Sequence, residues 1–277
     1  MKKRLFILTL VLALFVSCLA GCSAKTEAAA ESQDLLTKVM ESGKLTVAFE
    51  IGNEPWGYTD TATGEYVGFS IDLMSGFAKS IGVEIEWKPL EFSEMIPAVQ
   101  AGKVDIIASN ISRTAARAAT VLFTEPVSYS NCVALVMSGS PLTSVNEIND
   151  PSITITAPAG NMYEEMAYDM FPDANISALA STSDAVAALK AGRADVYLTD
   201  SNQAYRLMQG DSEITRLPEN LANDTVAYAL DLDISSYTLR DAFNTYLKVI
   251  KIDGTYNELY NKYFDTDWVP LTIEYGA

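Results

Sequence analysis

The sequence predicts an α/β fold in two similar lobes, each a mainly parallel sheet flanked by helices, joined by two extended hinge strands. Three observations carry this expectation. Strand-like and helix-like segments alternate from Leu35 onward, and such alternation implies βαβ units. One helix–glycine–strand junction occurs twice, with its glycines 90 residues apart. The chain has 277 residues, 49% of them apolar, enough for one large or two ordinary domains with a full core.

The elements follow in order. Residues 45–49 are a short β-rich run. Residues 70–81 carry apolar side chains at 71, 74, 77, 78 and 81, a helical spacing that Gly82 ends. Residues 84–88 alternate as a strand. Ser93 is placed to cap a helix running to 101, with Pro97 near its first turn and Gly102 at its end. Residues 104–108 are a buried-strand candidate. The repeated junction is then explicit: 97–106 (PAVQAGKVDI) matches 187–196 (AALKAGRADV). In both, a helix end meets a glycine stop, a basic residue, Asp and a strand. The second lobe reads as strand 153–156, helix 162–171, strand 176–179, helix 183–191 and strand 196–199. Long apolar strands near 131–137 and 225–230 carry the chain between lobes. A C-terminal helix over 236–252 is broken by Asp253-Gly254, and the aromatics after it read as core.

Composition excludes several functions. There are 19 Lys+Arg against 36 Asp+Glu, a net charge of −17, which argues against a nucleic-acid partner. The chain contains no His. Ser-His-Asp and Cys-His nucleophile systems and His-ligated zinc are therefore impossible within it. A binding protein needs none of these, and no cofactor or metal is expected.

The N-terminus reads as an address. Lys2, Lys3 and Arg4 precede a short apolar run, and small residues follow, as in a secretory signal. Leu19-Ala20-Gly21-Cys22 resembles the bacterial lipoprotein box, which implies cleavage after residue 21 and lipid on Cys22. Losing 1–21 removes three cations and no acid, so the net charge of −17 becomes −20. Cys18 leaves with the signal, and Cys132 alone remains free, in an apolar run that favours a buried structural thiol. The expected organisation is signal 1–21, lipidated Cys and tether 22–43, first lobe 44–133, second lobe 134–225, and a return to the first lobe over 226–277.

Four motifs carry a family resemblance. Gly68-Phe69-Ser70-Ile71-Asp72-Leu73, the 96–105 junction, Phe123-Thr124-Glu125-Pro126 and Asp253-Gly254-Thr255-Tyr256 resemble, in order and spacing, the solute-binding lipoproteins of polar amino acid ABC importers. The resemblance covers about 44–265. It implies the type II periplasmic-binding-protein fold, a ligand trapped between closing lobes, and a monomer that docks on a permease driven by its ATPase.

The resemblance also implies a site. Arg117, twelve residues after Asp105, takes the position of the family's carboxylate anchor, a role suited to a guanidinium fork; a surface cation is the alternative. Ser109, Asn110 and Ser112 follow a strand end, where open α/β sheets bind ligands. Ser112 is implied to hold the carboxylate and the Asn110 carbonyl the ammonium. Asp200 matches the amine-binding acid, with a helix-capping Asp as the alternative. Asn161 and Met162 replace the family's threonines after Gly160, leaving backbone N–H groups for the carboxylate. Glu50, Asn53, Trp56 and Phe92 match side-chain-pocket positions, although Trp56 and Phe92 also suit plain core packing and Glu50 a loop acid.

Two other readings remain open on the same fold. One is a cyclohexadienyl or arogenate dehydratase-like enzyme, with Glu50, Glu54 or Asp200 as the acid. The other is a ligand-sensing lipoprotein that signals through a membrane receptor.

Overall fold

The computed structural model describes residues 33–266. The expected signal, the lipidation site Cys22, most of the tether and the last eleven residues lie outside them. Along the chain the elements are α1 (Leu35–Ser42), β1 (Lys44–Glu50), β2 (Tyr58–Thr59), β3 (Tyr66–Val67), α2 (Phe69–Ile81), β4 (Glu84–Leu90), α3 (Phe92–Gln100), β5 (Ile106–Ser112), α4 (Ala115–Ala118), β6 (Val121–Phe123) and β7 (Ser128–Met137). They continue as β8 (Thr154–Pro158), α5 (Met162–Met170), β9 (Asn175–Leu179), α6 (Thr182–Lys190), β10 (Val196–Asp200), α7 (Ser201–Gly210), β11 (Ile214–Arg216), β12 (Ala222–Asp231), α8 (Tyr237–Asp253) and α9 (Thr255–Phe264).

Hydrogen bonding orders the main strands β4-β1-β5-β12-β7-β10-β8-β9. The outer trios are parallel: β1 pairs β4 and β5, and β8 pairs β9 and β10. Between them β12 and β7, ten residues each, run antiparallel to each other and to β5 and β10. These two long strands are the extended segments expected near 131–137 and 225–230.

Each trio is covered on both faces, as buried parallel strands require. In the first lobe, α1, α2, α8 and α9 bury Val39, Phe69, Phe77, Phe243, Leu247 and Tyr256 against one face, while α3 buries Phe92, Met95 and Val99 against the other. In the second lobe, α5 packs Tyr163 and Ala167 on one side and α6 packs Ala185 and Leu189 on the other. Buried Cys132 belongs to this core, and burial pushes its thiol well above the ordinary range.

Two local expectations change. Residues 35–42, inside the stretch 22–43 expected as a tether, form a helix capped by the Asp34 carboxylate. Its Leu35, Leu36 and Val39 pack on the first-lobe core, so this stretch is tied down by apolar burial. Ser93 does not cap α3. Glu91 does, its side chain taking the Glu94 N–H while Glu94 reaches back, a capping box that starts the helix earlier.

The repeated junction has the same geometry twice. Gly102 and Gly192 both sit at φ 64, with N–H groups donating to Val99 and Leu189 carbonyls at 3.0 Å. The Asp105 carboxylate accepts from Thr46 N–H at 2.8 Å, and Asp195 from Thr154 N–H at 2.8 Å. Each Asp thus ties a helix stop to the first strand of its lobe. A Cβ at either glycine would meet nothing within 4 Å, so only the left-handed backbone resists substitution. Gly102→Ala and Gly192→Ala are each expected to cost roughly 1–2 kcal/mol, read as equal shifts in urea midpoint.

Candidate functional site

Four charged side chains are buried among the described residues: Glu50, Arg117, Asp200 and Asp224. Glu50 lines a narrow cavity where the two lobes face each other, together with Asn53, Phe92, Asn110, Ser112, Asn161, Met162, Tyr163, Thr182, Tyr197 and Gln203, and Arg117, Asp200 and Asp224 each hydrogen-bond a residue of that lining.

The strand ends deliver most of these groups. β1 ends on Glu50, β5 on Ser112 with Asn110 two residues before it, and β10 on Asp200. Glu50 lies in the first lobe but is held from both. Its Oε2 accepts from Asn53 Nδ2 at 2.7 Å and its Oε1 from Thr182 Oγ1, at the start of α6, at 2.8 Å. Complete burial pushes its carboxyl up to about 7, against the lowering effect of these two donors.

Asn53 is the next link. Its Nδ2 also donates to Asn110 Oδ1 at 2.6 Å, and its Oδ1 accepts from Gln203 Nε2 across the cleft. Gln203 is itself held by the Tyr197 and Thr199 hydroxyls. Asn110 Nδ2 then donates to Asp200 Oδ2 at 3.3 Å. The other oxygen of Asp200 accepts from the Asn202 and Gln203 N–H groups at 2.9 Å each. Asp200 is therefore both the cap of α7 and a buried acid facing the first lobe, and burial raises it to about 6. Ser109 is buried behind this chain, its Oγ 3.4 Å from Asn110 Oδ1.

Arg117 lies in the one-turn helix α4, whose cap Thr114 accepts its N–H at 3.2 Å. The guanidinium is buried, 5.4 Å from the Phe92 ring centroid. Nη1 donates to the Ser112 carbonyl at 3.2 Å and Nη2 to the second-lobe Gly160 carbonyl at 3.1 Å. Glu165 Oε1 stands 3.8 Å away. Burial pulls the guanidinium below its usual value, opposed by Glu165 and Asp224.

Several placements depart from expectation. Ser112 Oγ donates to Asp224 Oδ2 at 3.0 Å. Asn161 lines the cavity but is also the cap of α5, its Oδ1 accepting from Glu164 N–H at 2.9 Å. The Gly160 N–H donates to Glu164 Oε2 at 2.6 Å. Trp56 does not reach the cavity. It packs in the first-lobe core with ring centroids 5.6 Å from Phe69 and 5.1 Å from Phe264. The turn explains why: Asn53 N–H bonds Gly57 O and Trp56 N–H bonds Asn53 O, turning Asn53 into the cleft and Trp56 away from it.

Five residues at the site were not read from the sequence as ligand contacts: Asp224, Tyr163, Thr182, Tyr197 and Gln203. Asp224, on hinge strand β12, accepts from both Ser112 Oγ and Tyr163 OH, the latter at 3.2 Å. Only tertiary pairing brings it there. Thr182 and Gln203 were findable in principle, since each lies in the first turn of a helix that follows a strand end, where ligands bind in open α/β sheets.

A two-lobe α/β chain that gathers its buried charges and neutral donors at facing strand ends has the architecture of a solute-binding protein. The chain belongs to the bacterial extracellular solute-binding proteins, family 3, whose model matches residues 45–266. It is 26% identical over 272 residues to the ABC transporter glutamine-binding protein GlnH of Bacillus subtilis (strain 168), covering 96% of this chain and 98% of that protein. It is 27% identical over 273 residues to the probable amino-acid-binding protein YxeM of the same organism, covering 96% of each. Among solved structures it resembles the ancestral amino acid-binding protein AncCDT-1, a precursor of cyclohexadienyl dehydratase. That match has TM-score 0.77 and 29% identity, covering 83% of this chain and 99% of that one. The fold is thus the two-lobe type II periplasmic-binding fold.

Proposed function

We propose that the protein is an extracytoplasmic receptor, tethered to the cell membrane by lipid on Cys22, that binds an amino acid between its lobes. It delivers the amino acid to the permease of an ABC importer, whose ATPase drives transport. The observation that carries this reading is that Glu50 lines an interlobe cavity while the other buried charges of the described residues, Arg117, Asp200 and Asp224, each hydrogen-bond a residue of its lining. Arg117 offers a desolvated fork to a carboxylate. Asp200, at a strand end of the other lobe, offers an acid to an ammonium. A ligand bridging the two favours the closed state because it contacts both lobes at once. The relatives named as amino-acid-binding proteins support the solute class.

Lobe 1 is taken as 44–133 with its return over 226–277, and lobe 2 as 134–225. The receptor acts as a monomer and without cofactor or catalysis. Product formed from prephenate or arogenate would favour a dehydratase-like enzyme instead.

The test is a thermal-shift screen of the twenty amino acids, cystine and several opines. A ligand in hundredfold excess over its Kd is expected to stabilise the native state by about 2.7 kcal/mol, a rise of several degrees. No shift with any compound would remove the receptor reading.

A further inference from the structure

At the Arg117 end of the cleft, the chain's own acids have taken hydrogen-bond donors that a ligand carboxylate would use. Asp224, buried on the hinge strand β12, accepts from Ser112 Oγ at 3.0 Å and from Tyr163 OH at 3.2 Å. Ser112 belongs to the first lobe and Tyr163 to the second, and both line the cavity. An ionised carboxylate only accepts, and a hydroxyl has a single hydrogen to give. With that hydrogen spent on Asp224, each hydroxyl offers the cavity lone pairs alone. The Gly160 N–H is likewise taken, by Glu164 Oε2 at 2.6 Å. No hydroxyl stands beside it in sequence, since Asn161 and Met162 follow Gly160.

The charge of Arg117 is also partly answered. It is the one buried basic side chain among the described residues, and two acids act on it: the more exposed Glu165, 3.8 Å away, and buried Asp224. A ligand carboxylate arriving here meets one guanidinium, two hydroxyls turned to accept, and the charge of Asp224 behind them. A carboxamide meets the same groups on better terms. It is neutral, so Asp224 does not repel it. Its C=O accepts from the guanidinium, which has N–H groups beyond those given to the Ser112 and Gly160 carbonyls. Its N–H donates to a lone pair of Ser112 Oγ or Tyr163 OH. One acceptor and one donor face one donor and one acceptor.

We propose that Asp224 is a specificity-determining residue that opens the Arg117 subsite to α-amino carboxamides, held there about as well as the free amino acids or better. Two sources share this chemistry: an amino-acid amide, and the first residue of a short peptide, whose peptide bond carries the same C=O and N–H. The proposal rests on the receptor reading above and widens the group accepted at Arg117 from a carboxylate to its amide. Specificity is a difference of affinities, and Asp224 sets it through what it repels.

The experiment is calorimetric titration of the full-length chain in detergent at pH 7 with glutamine, leucine and arginine. Each is tested as the free amino acid, as its carboxamide and as its dipeptide with a following glycine. A site built for a carboxylate alone would lose about 30-fold or more on amidation, given the cost of leaving a buried charge unpaired. Here, for the side chain that binds, the amide or the dipeptide is expected within tenfold of the free acid or tighter, and the better of the two identifies the source. Asp224→Asn removes the charge, and is expected to move the ratio about tenfold toward the free acid while circular dichroism stays unchanged. A merely structural role would weaken both forms together and leave their ratio alone. Tyr163→Phe removes one accepting hydroxyl and should move the ratio the same way, which keeps the test open if Asp224→Asn does not fold. Amide and dipeptide both more than tenfold weaker than the free acid would overturn the proposal and leave the receptor reading standing. A ratio unmoved in the folded variants would overturn it as well. Binding of none of the nine compounds also overturns it, and removes the receptor reading only if the screen of all amino acids is silent too.

Discussion

Arg117→Ala is expected to weaken amino-acid binding by about 100- to 1,000-fold, because truncating one partner of a buried hydrogen-bonded charge pair costs roughly 2–5 kcal/mol. The structure explains why the loss falls on binding and leaves the fold in place. Arg117 sits in a one-turn helix held by Thr114, outside the sheet, and it stacks over Phe92 without filling the core beneath. Its two side-chain hydrogen bonds go to carbonyls of opposite lobes, Ser112 and Gly160. Removing it frees two carbonyls at the cleft and disturbs no strand register. Circular dichroism should therefore be unchanged, with calorimetry showing the loss. Arg117→Lys keeps the charge but gives up the planar fork, and about a tenfold loss is expected of it. Wild-type affinity in Arg117→Ala would remove this residue from the site.

That Arg117 faces the cleft was legible only through the family resemblance, which places a carboxylate anchor twelve residues after Asp105. The repeated junction was legible in the residues themselves. Gly102-Lys103 and Gly192-Arg193 announce the same helix stop, and the stop alone fixes where the next strand begins. Residues set by local chain geometry could thus be placed. Those set by tertiary packing could not. Trp56 follows Pro55 near polar Asn53 and looks like a pocket aromatic. A four-residue turn sends the two side chains in opposite directions, and Phe69 and Phe264 supply the apolar surroundings that receive the ring. Asp224 carries no local signal, since nothing near it in sequence marks it as buried. It becomes a site residue only when β12 crosses beside β5 and β7 and the Tyr163 hydroxyl arrives from α5. The polar partners Thr182 and Gln203 likewise gain their roles from the facing lobe, where Glu50 and Asn53 wait for a donor.

The same convergence gives the protein an unusual dependence on pH. Burial raises the Glu50 carboxyl from 4.5 to about 7. Between those values the folded chain holds a proton that the unfolded chain has released. Stability must therefore be fully present below about pH 4.5 and fall as pH rises through 7, by an amount on the order of 3 kcal/mol for this group. Asp200, raised from 3.8 to about 6, and Asp224, also raised, act with the same sign. The absence of His leaves this interval free of the side chain that ordinarily titrates there. Lys251, drawn down to about 8 by burial, acts above the interval and in the opposite sense: its contribution is lowest below pH 8 and recovers as the unfolded chain deprotonates. Urea denaturation without added ligand is thus expected to show stability declining from pH 5 to pH 7.5. Glu50→Gln should flatten most of that decline, because the amide keeps the Thr182 and Asn53 contacts within reach but cannot ionise. An equally steep decline in Glu50→Gln would mean that the carboxyl of Glu50 reaches water, and that the Asn53–Thr182 enclosure does not persist in the protein free in solution.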